Sequence, residues 1–151
     1  MMNSAKLLSI NHLQTFNLAK FIIHHLSFII TNMDIEALRL HCLAQKAATE
    51  DTPFGPHTLV FRVMNKIFGL MSLDATECRI NLKCDPDYAI ELREKHPDHI
   101  IDGYHMNKKH WNTVYCERGL DDKLIKELVV HSYDLIAKSL PKAQQQELSQ
   151  L

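Results

Sequence analysis

Three strand-like stretches follow one another between Thr58 and Cys84, and a run of sequence-adjacent strands points to an antiparallel sheet with helices packed on it. Thr58-Leu59-Val60-Phe61-Arg62-Val63 and Lys66-Ile67-Phe68-Gly69-Leu70-Met71 have strand composition, and Met64-Asn65 between them reads as a tight hairpin turn. Arg79-Ile80-Asn81-Leu82-Lys83-Cys84 alternates polar and apolar residues, the mark of a strand with one wet face. Helical segments flank this group. Asn32 or Asp34 can cap a helix running to about Lys46, with Ile35, Leu38 and Cys42 inward. Glu50 to Pro56 is a turn-rich connector. Asp85 as cap and Pro86 as first residue start a helix that reaches about Lys95 and stops at His96-Pro97. Asp121-Asp122 opens a long helix whose inner face is predicted to be Leu124, Leu128, His131, Leu135 and Ile136. Pro141 starts a short last helix, Lys142 to Leu148. The expected fold is an α+β sandwich, an antiparallel sheet packed against helices.

The chain has 151 residues, room for one domain of ordinary size. Residues 1–32 differ from the remainder. They hold no acidic residue and only two lysines, Lys6 and Lys20, so the formal net charge of -1 for the whole becomes -3 for residues 33–151. No global basic field announces a nucleic-acid partner, and such a function would need a local patch. Leu18, Phe21, Ile22, Leu26, Ile29 and Ile30 fall on one helical face. Interrupted by His24 and His25, this run is too short for stable membrane insertion, which takes about 20 apolar residues. Two readings of residues 1–32 stay open: an upstream extension outside the native product, or an amphipathic helix.

Cys42, Cys78, Cys84 and Cys116 show no C-x-x-C spacing, and free thiols in a reducing cytoplasm are expected. There is no G-x-G-x-x-G, no Walker sequence and no H-E-x-x-H, so no cofactor and no enzymatic activity are expected. Cys84, between Lys83 and Asp85, is the best candidate nucleophile, weighed against a buried strand-end cysteine. His96, Asp98, His99, His105 and His110 lie close enough in sequence to suggest metal, but loop histidines are usually solvated, and no metal site is expected.

One segment concentrates recognition chemistry. Gly103-Tyr104-His105-Met106-Asn107-Lys108-Lys109-His110-Trp111-Asn112-Thr113-Val114-Tyr115 holds the only tryptophan, two tyrosines, two histidines and two adjacent lysines. Its second half has strand composition and its first half reads as the loop feeding that strand. Together with Arg79–Pro86, His131-Ser132-Tyr133-Asp134-Leu135, the helix start at Met33, Thr58–Val63 and the Leu140-Pro141 ending, it resembles the MmcQ/YjbR family over about residues 33–151. The resemblance implies a compact α+β fold similar to that of bacterial frataxin. It also implies DNA binding through a double-wing arrangement of strands and loops. A frataxin-like iron function would need a dense acidic first helix, and Asp34 to Lys46 offers only Asp34 and Glu36. Members usually carry Asp-Gly after the tryptophan strand. This chain has Glu117-Arg118-Gly119 there, which leaves the shape of that edge open.

For DNA, Lys108 and Lys109 are the expected phosphate anchors, Asn107, His105 and His110 would add polar contacts, and Arg62, Lys66 and Lys83 would extend the patch if they face the same way. Arg79 lies on a nearby strand, and Asn112 shares with Asn107 the capacity to pair with an adenine edge. Tyr104, Trp111 and Tyr115 could stack on bases or pack as a sheet face, with Trp111, Thr113 and Tyr115 together by alternation. The competing expectation is a protein- or small-ligand-binding module that uses the same aromatic groove. Basic side chains clustered on one exposed face favour DNA. Their dispersal around a concave aromatic pocket favours a ligand.

Overall fold

The computed structural model describes residues 33–151 together with Leu18 and Lys20, which are helical; the two readings of residues 1–32 otherwise lie outside the described residues. The chain divides into two units, Met1–Asn32 and Met33–Leu151, and the fold is that of the second. Its elements in order are α1 (Ile35–Leu43), β1 (Ala48–Asp51), β2 (Thr58–Val63), β3 (Lys66–Ser72), β4 (Arg79–Lys83), α2 (Pro86–Lys95), β5 (Ile100–Asp102), β6 (Trp111–Tyr115), α3 (Asp122–Lys138) and α4 (Lys142–Gln150). The strands form one sheet in the order β1-β2-β3-β4-β6-β5, antiparallel throughout. This is the expected α+β architecture.

Local chemistry sets the helix starts. Asp34, Asp85 and Asp121 each accept first-turn backbone N–H groups with their side chains. Pro86 adds a first residue whose missing N–H needs no partner. The hairpin turn places both Met64 (φ 46°) and Asn65 (φ 66°) in the left-handed region, as a two-residue turn of this twist requires.

Alternate strand residues enter the core. Phe61, Met71, Ile80, Leu82, Ile100 and Val114 meet Leu38 of α1, Leu92 of α2, and Ile125, Leu128, Val129 and Ile136 of α3. The buried face of α3 is Ile125, Leu128, Val129, Ser132, Tyr133 and Ile136, rotated from the expected one. Leu124, His131 and Leu135 flank it, half-buried.

Two strands were not legible. Ala48–Asp51 lies at one edge, paired to Val60–Val63; it starts just past the expected end of the first helix and runs into the expected connector. Ile100–Asp102 lies at the other, paired to Asn112–Val114.

The β2–β3 register slips where Phe68 is the extra residue. There α3 repairs the sheet: Ser132 Oγ donates to the Phe68 carbonyl and accepts the Lys83 N–H at 2.8 Å.

The cross-strand pairs also define the other face of the sheet. Thr58, Ser72, Leu70, Arg79, Asn81, Lys83, Trp111, Thr113 and Tyr115 share it by pairing and alternation. This is the open face of the sheet. Among the described residues no helix is long and apolar enough to cross a membrane.

Candidate ligand groove on the open face

The loop from Gly103 to His110 joins β5 to β6 and is tied down at both ends. The Gly103 N–H donates to the Trp111 carbonyl at 2.9 Å, and a Cβ on Gly103 would stand 2.7 Å from Trp111 Cβ. Only glycine allows that approach. The Tyr104 N–H donates to Thr113 Oγ1 at 2.9 Å, Thr113 Oγ1 donates to Asn81 Oδ1 at 2.6 Å, and Asn81 Nδ2 donates to the Tyr104 carbonyl at 3.2 Å. This closed circuit fixes the start of the loop to the middle of the sheet. Farther along, Arg93 of α2 donates to the Lys108 carbonyl at 2.9 Å.

Between this loop and the open face lies a groove of about 390 Å³. Strands supply Thr58, Leu70, Met71, Ser72, Arg79 and Asn81, while loops supply Phe54, Tyr104, His105 and Met106. Phe54 and Tyr104 are exposed at 66% and 53%, and no other aromatic residue among those described is as open. The Arg79 guanidinium lies 5.0 Å from the centre of the Tyr104 ring. Among the described residues its side chain makes no hydrogen bond or ion pair. His105 has φ 56° and holds its ring 4.0 Å from that of Tyr104. A non-glycine residue in the left-handed region costs conformational energy, and such positions concentrate at functional sites.

The expected DNA contacts fall in several places. Lys108 is exposed and ion-paired with Asp102 at 2.9 Å. Lys109 is exposed, and its side chain has no partner among the described residues. Asn107 spends its side-chain oxygen on the Lys109 N–H, 3.0 Å away, closing the turn. His105 lines the groove, whereas His110 is half-buried at the start of β6, its carbonyl accepting the Cys84 N–H at 2.8 Å. Arg62 lies on the open face, paired with Asp51 at 3.1 Å. Lys83 lies on that face opposite Trp111. Lys66 does not. It is opposite Val63 of the core face, and its Nζ donates to the Ser139 carbonyl at the end of α3, 3.2 Å away.

Nor do the aromatic residues form one platform. Tyr104 is exposed, Trp111 is half-buried, and Tyr115 is buried under the Arg118 guanidinium, 3.6 Å from its ring centre. Arg118 also chelates Glu77 at 3.0 and 2.6 Å and donates to the Asp98 carbonyl at 2.7 Å. Those bonds hold the Glu77 carboxyl below its ordinary range. The Glu117-Arg118-Gly119 departure thus makes a latch across the ends of β4 and β6.

Cys84 is 3% exposed and burial pushes its thiol up to about 11, so little thiolate forms at neutral pH. Among the described residues no three His, Cys, Asp or Glu side chains converge as metal ligands. Sequence reasoning missed Phe54, Thr58, Leu70, Met71, Ser72, Asn81 and Met106. A phenylalanine stranded in a Pro- and Gly-rich connector was the one available signal.

Comparison with known proteins agrees with the fold. A family model described as YjbR matches residues 43–135. The chain is 38% identical over 96 residues to the uncharacterized protein YbdF of Escherichia coli O157:H7, covering 64% of this chain and 78% of that one. It is 30% identical over 119 residues to the uncharacterized protein YjbR of Escherichia coli K12, covering 79% of this chain and 100% of that one. The crystal structure of Deinococcus radiodurans protein DR2400, a DUF419 domain, matches with a TM-score of 0.71 at 38% identity over 76% of this chain and 87% of that one. A crystal structure from Pseudomonas syringae matches with a TM-score of 0.60 at 28% identity, over 68% of this chain and 98% of the other.

Proposed function

This chain belongs to the YjbR family, and from that premise we propose that it is a non-enzymatic recognition domain whose working surface is the groove on the open face of its sheet, holding a small ligand there. One observation carries the reading: an arginine that makes no hydrogen bond or ion pair among the described residues and two exposed aromatic rings line the same concavity of about 390 Å³, the arginine on a strand and the rings on the loops beside it. Small-molecule sites have this size, with mostly apolar walls and a few directed polar groups. Arg79 is a half-buried residue whose guanidinium has N–H donors left for an acceptor. Free thiols buried in the core suit a reducing compartment, and we place the protein in the cytoplasm.

DNA binding, the function implied by the resemblance, fits the charges less well. Lys108 and Arg62 are already paired with carboxylates, Lys66 points to the other face, and residues 33–151 carry a formal -3. What still favours it is Lys109, exposed next to Lys108 with no side-chain partner among the described residues. Titration of random duplex DNA with the full chain across a salt series separates the two readings. The groove reading expects no salt-steep binding. A salt slope that drops by about two in Lys108→Ala/Lys109→Ala would establish phosphate contact instead. In parallel, an aromatic fragment library screened by ¹H–¹⁵N NMR should shift the amides of Arg79, Asn81, Tyr104 and His105. Fragments that leave these four unmoved would overturn the groove.

A further inference from the structure

Resting on the groove reading, we infer that the ligand is a flat aromatic monocarboxylate, its carboxylate held by Arg79 and its ring laid against Tyr104. Arg79 projects from β4, in the interior of the sheet order, so its base is rigid. Its side chain is half-buried, with no ion pair or hydrogen bond among the described residues. A guanidinium presents five N–H donors in a planar fork, and the group that matches two of them at once is a planar oxyanion. The Tyr104 ring, 5.0 Å away, is a contact with its face and uses none of those donors.

The charge of the ligand follows from what surrounds Arg79. Asp74 and Glu77 both lie within electrostatic reach of it. Each has another partner, Asp74 the Ser72 hydroxyl at 2.8 Å and Glu77 the Arg118 guanidinium at 2.6 Å. They leave Arg79 uncapped but make the rim less positive. A phosphate dianion would meet one cation and two nearby carboxylates, whereas a monocarboxylate matches the single cation. The floor and walls specify the rest. Leu70 is apolar, and Phe54 and Tyr104 offer exposed rings that favour another flat ring. Asn81 has its nitrogen and its oxygen each bonded once inside the Tyr104–Thr113 circuit, which fixes its amide and leaves one N–H and one lone pair over. The groove asks for one acidic head and little other polarity.

The test uses the full chain and three matched probes, indole-3-carboxylate, indole-3-carboxamide and phenyl phosphate, followed by ¹H–¹⁵N NMR titration. The acid is expected to shift the amides of Arg79–Asn81 and Tyr104–Met106 and to bind about tenfold or more tighter than the amide, the scale of one charge-assisted pair. In Arg79→Gln the acid and the amide should bind alike, and Tyr104→Ala should weaken both. The comparison of acid with amide needs only the wild type, so it decides even if a variant folds poorly. Equal binding of acid and amide in the groove would overturn the anion assignment and leave the groove reading standing. Tighter binding of phenyl phosphate than of the acid would overturn the carboxylate in favour of a phosphate monoester. Shifts at none of these amides with any probe would overturn the groove reading itself.

Discussion

Asn112 is 2% exposed on the core side of β6, beside Leu82, Cys84, Leu92 and Leu128, and neither its amide nitrogen nor its oxygen finds a partner among the described residues. A buried amide without hydrogen bonds costs about 1–3 kcal/mol. Asn112→Leu keeps the side-chain outline and removes that cost, so stability should rise by about 1–2 kcal/mol, read as a higher urea midpoint at unchanged slope. In the sequence Asn112 was a candidate reader of an adenine edge. Alternation with Trp111 and Thr113 placed it on the opposite side of the strand, but only the pairing with Leu82 shows that this side is the core. Gly103 makes the opposite case. Gly103→Ala drives a methyl into Trp111 at 2.7 Å and should cost about 1–3 kcal/mol while shifting the Tyr104 and His105 amides. Its necessity was invisible in the sequence, because a glycine before a loop reads as any other turn residue.

At the level of elements, what was legible is what is decided locally. The three aspartate caps, the proline start of α2 and the hairpin all stand where their chemistry put them. What failed depended on partners. Ala-Thr-Glu-Asp has little strand propensity, and it is a strand only because β2 offers it a ladder. The buried face of α3 was misjudged because Leu124, Val130 and Leu135 make its apolar stripe broad, and a serine in its centre looked like a surface residue. That serine joins helix to sheet. Ser132→Ala strips a partner from the Phe68 carbonyl, which is buried, and from the Lys83 N–H, which is part-buried. A loss of about 1–3 kcal/mol is expected, together with faster hydrogen exchange at the Lys83 amide. Unchanged exchange there would mean that the bulge is held by the strands alone.

At the scale of the whole domain, the joint between α3 and α2 carries a histidine whose pKa is shifted. His131 of α3 accepts the Asp85 N–H at Nε2, 3.2 Å away, beside the Tyr88 ring of α2. Burial lowers its pKa below the ordinary 6.5. The unfolded chain therefore binds this proton more readily than the folded one. Its contribution is complete above about pH 6.5 and is lost as pH falls through the depressed folded value. Melting temperatures between pH 8 and 5 should drop on the acid side, and His131→Gln, which keeps an acceptor but does not titrate, should flatten that drop. The site was only half legible at this scale. The loop that walls the groove stood out at once, but Phe54 and Arg79 come from 50 and 25 residues before Tyr104, and only the folded sheet brings them to it. The same sheet has its shortest strands, β1 with four residues and β5 with three, at its two rims. A second chain looking for a ladder to extend finds a few rungs and then nothing, so the fold carries its own guard against growing into a fibre.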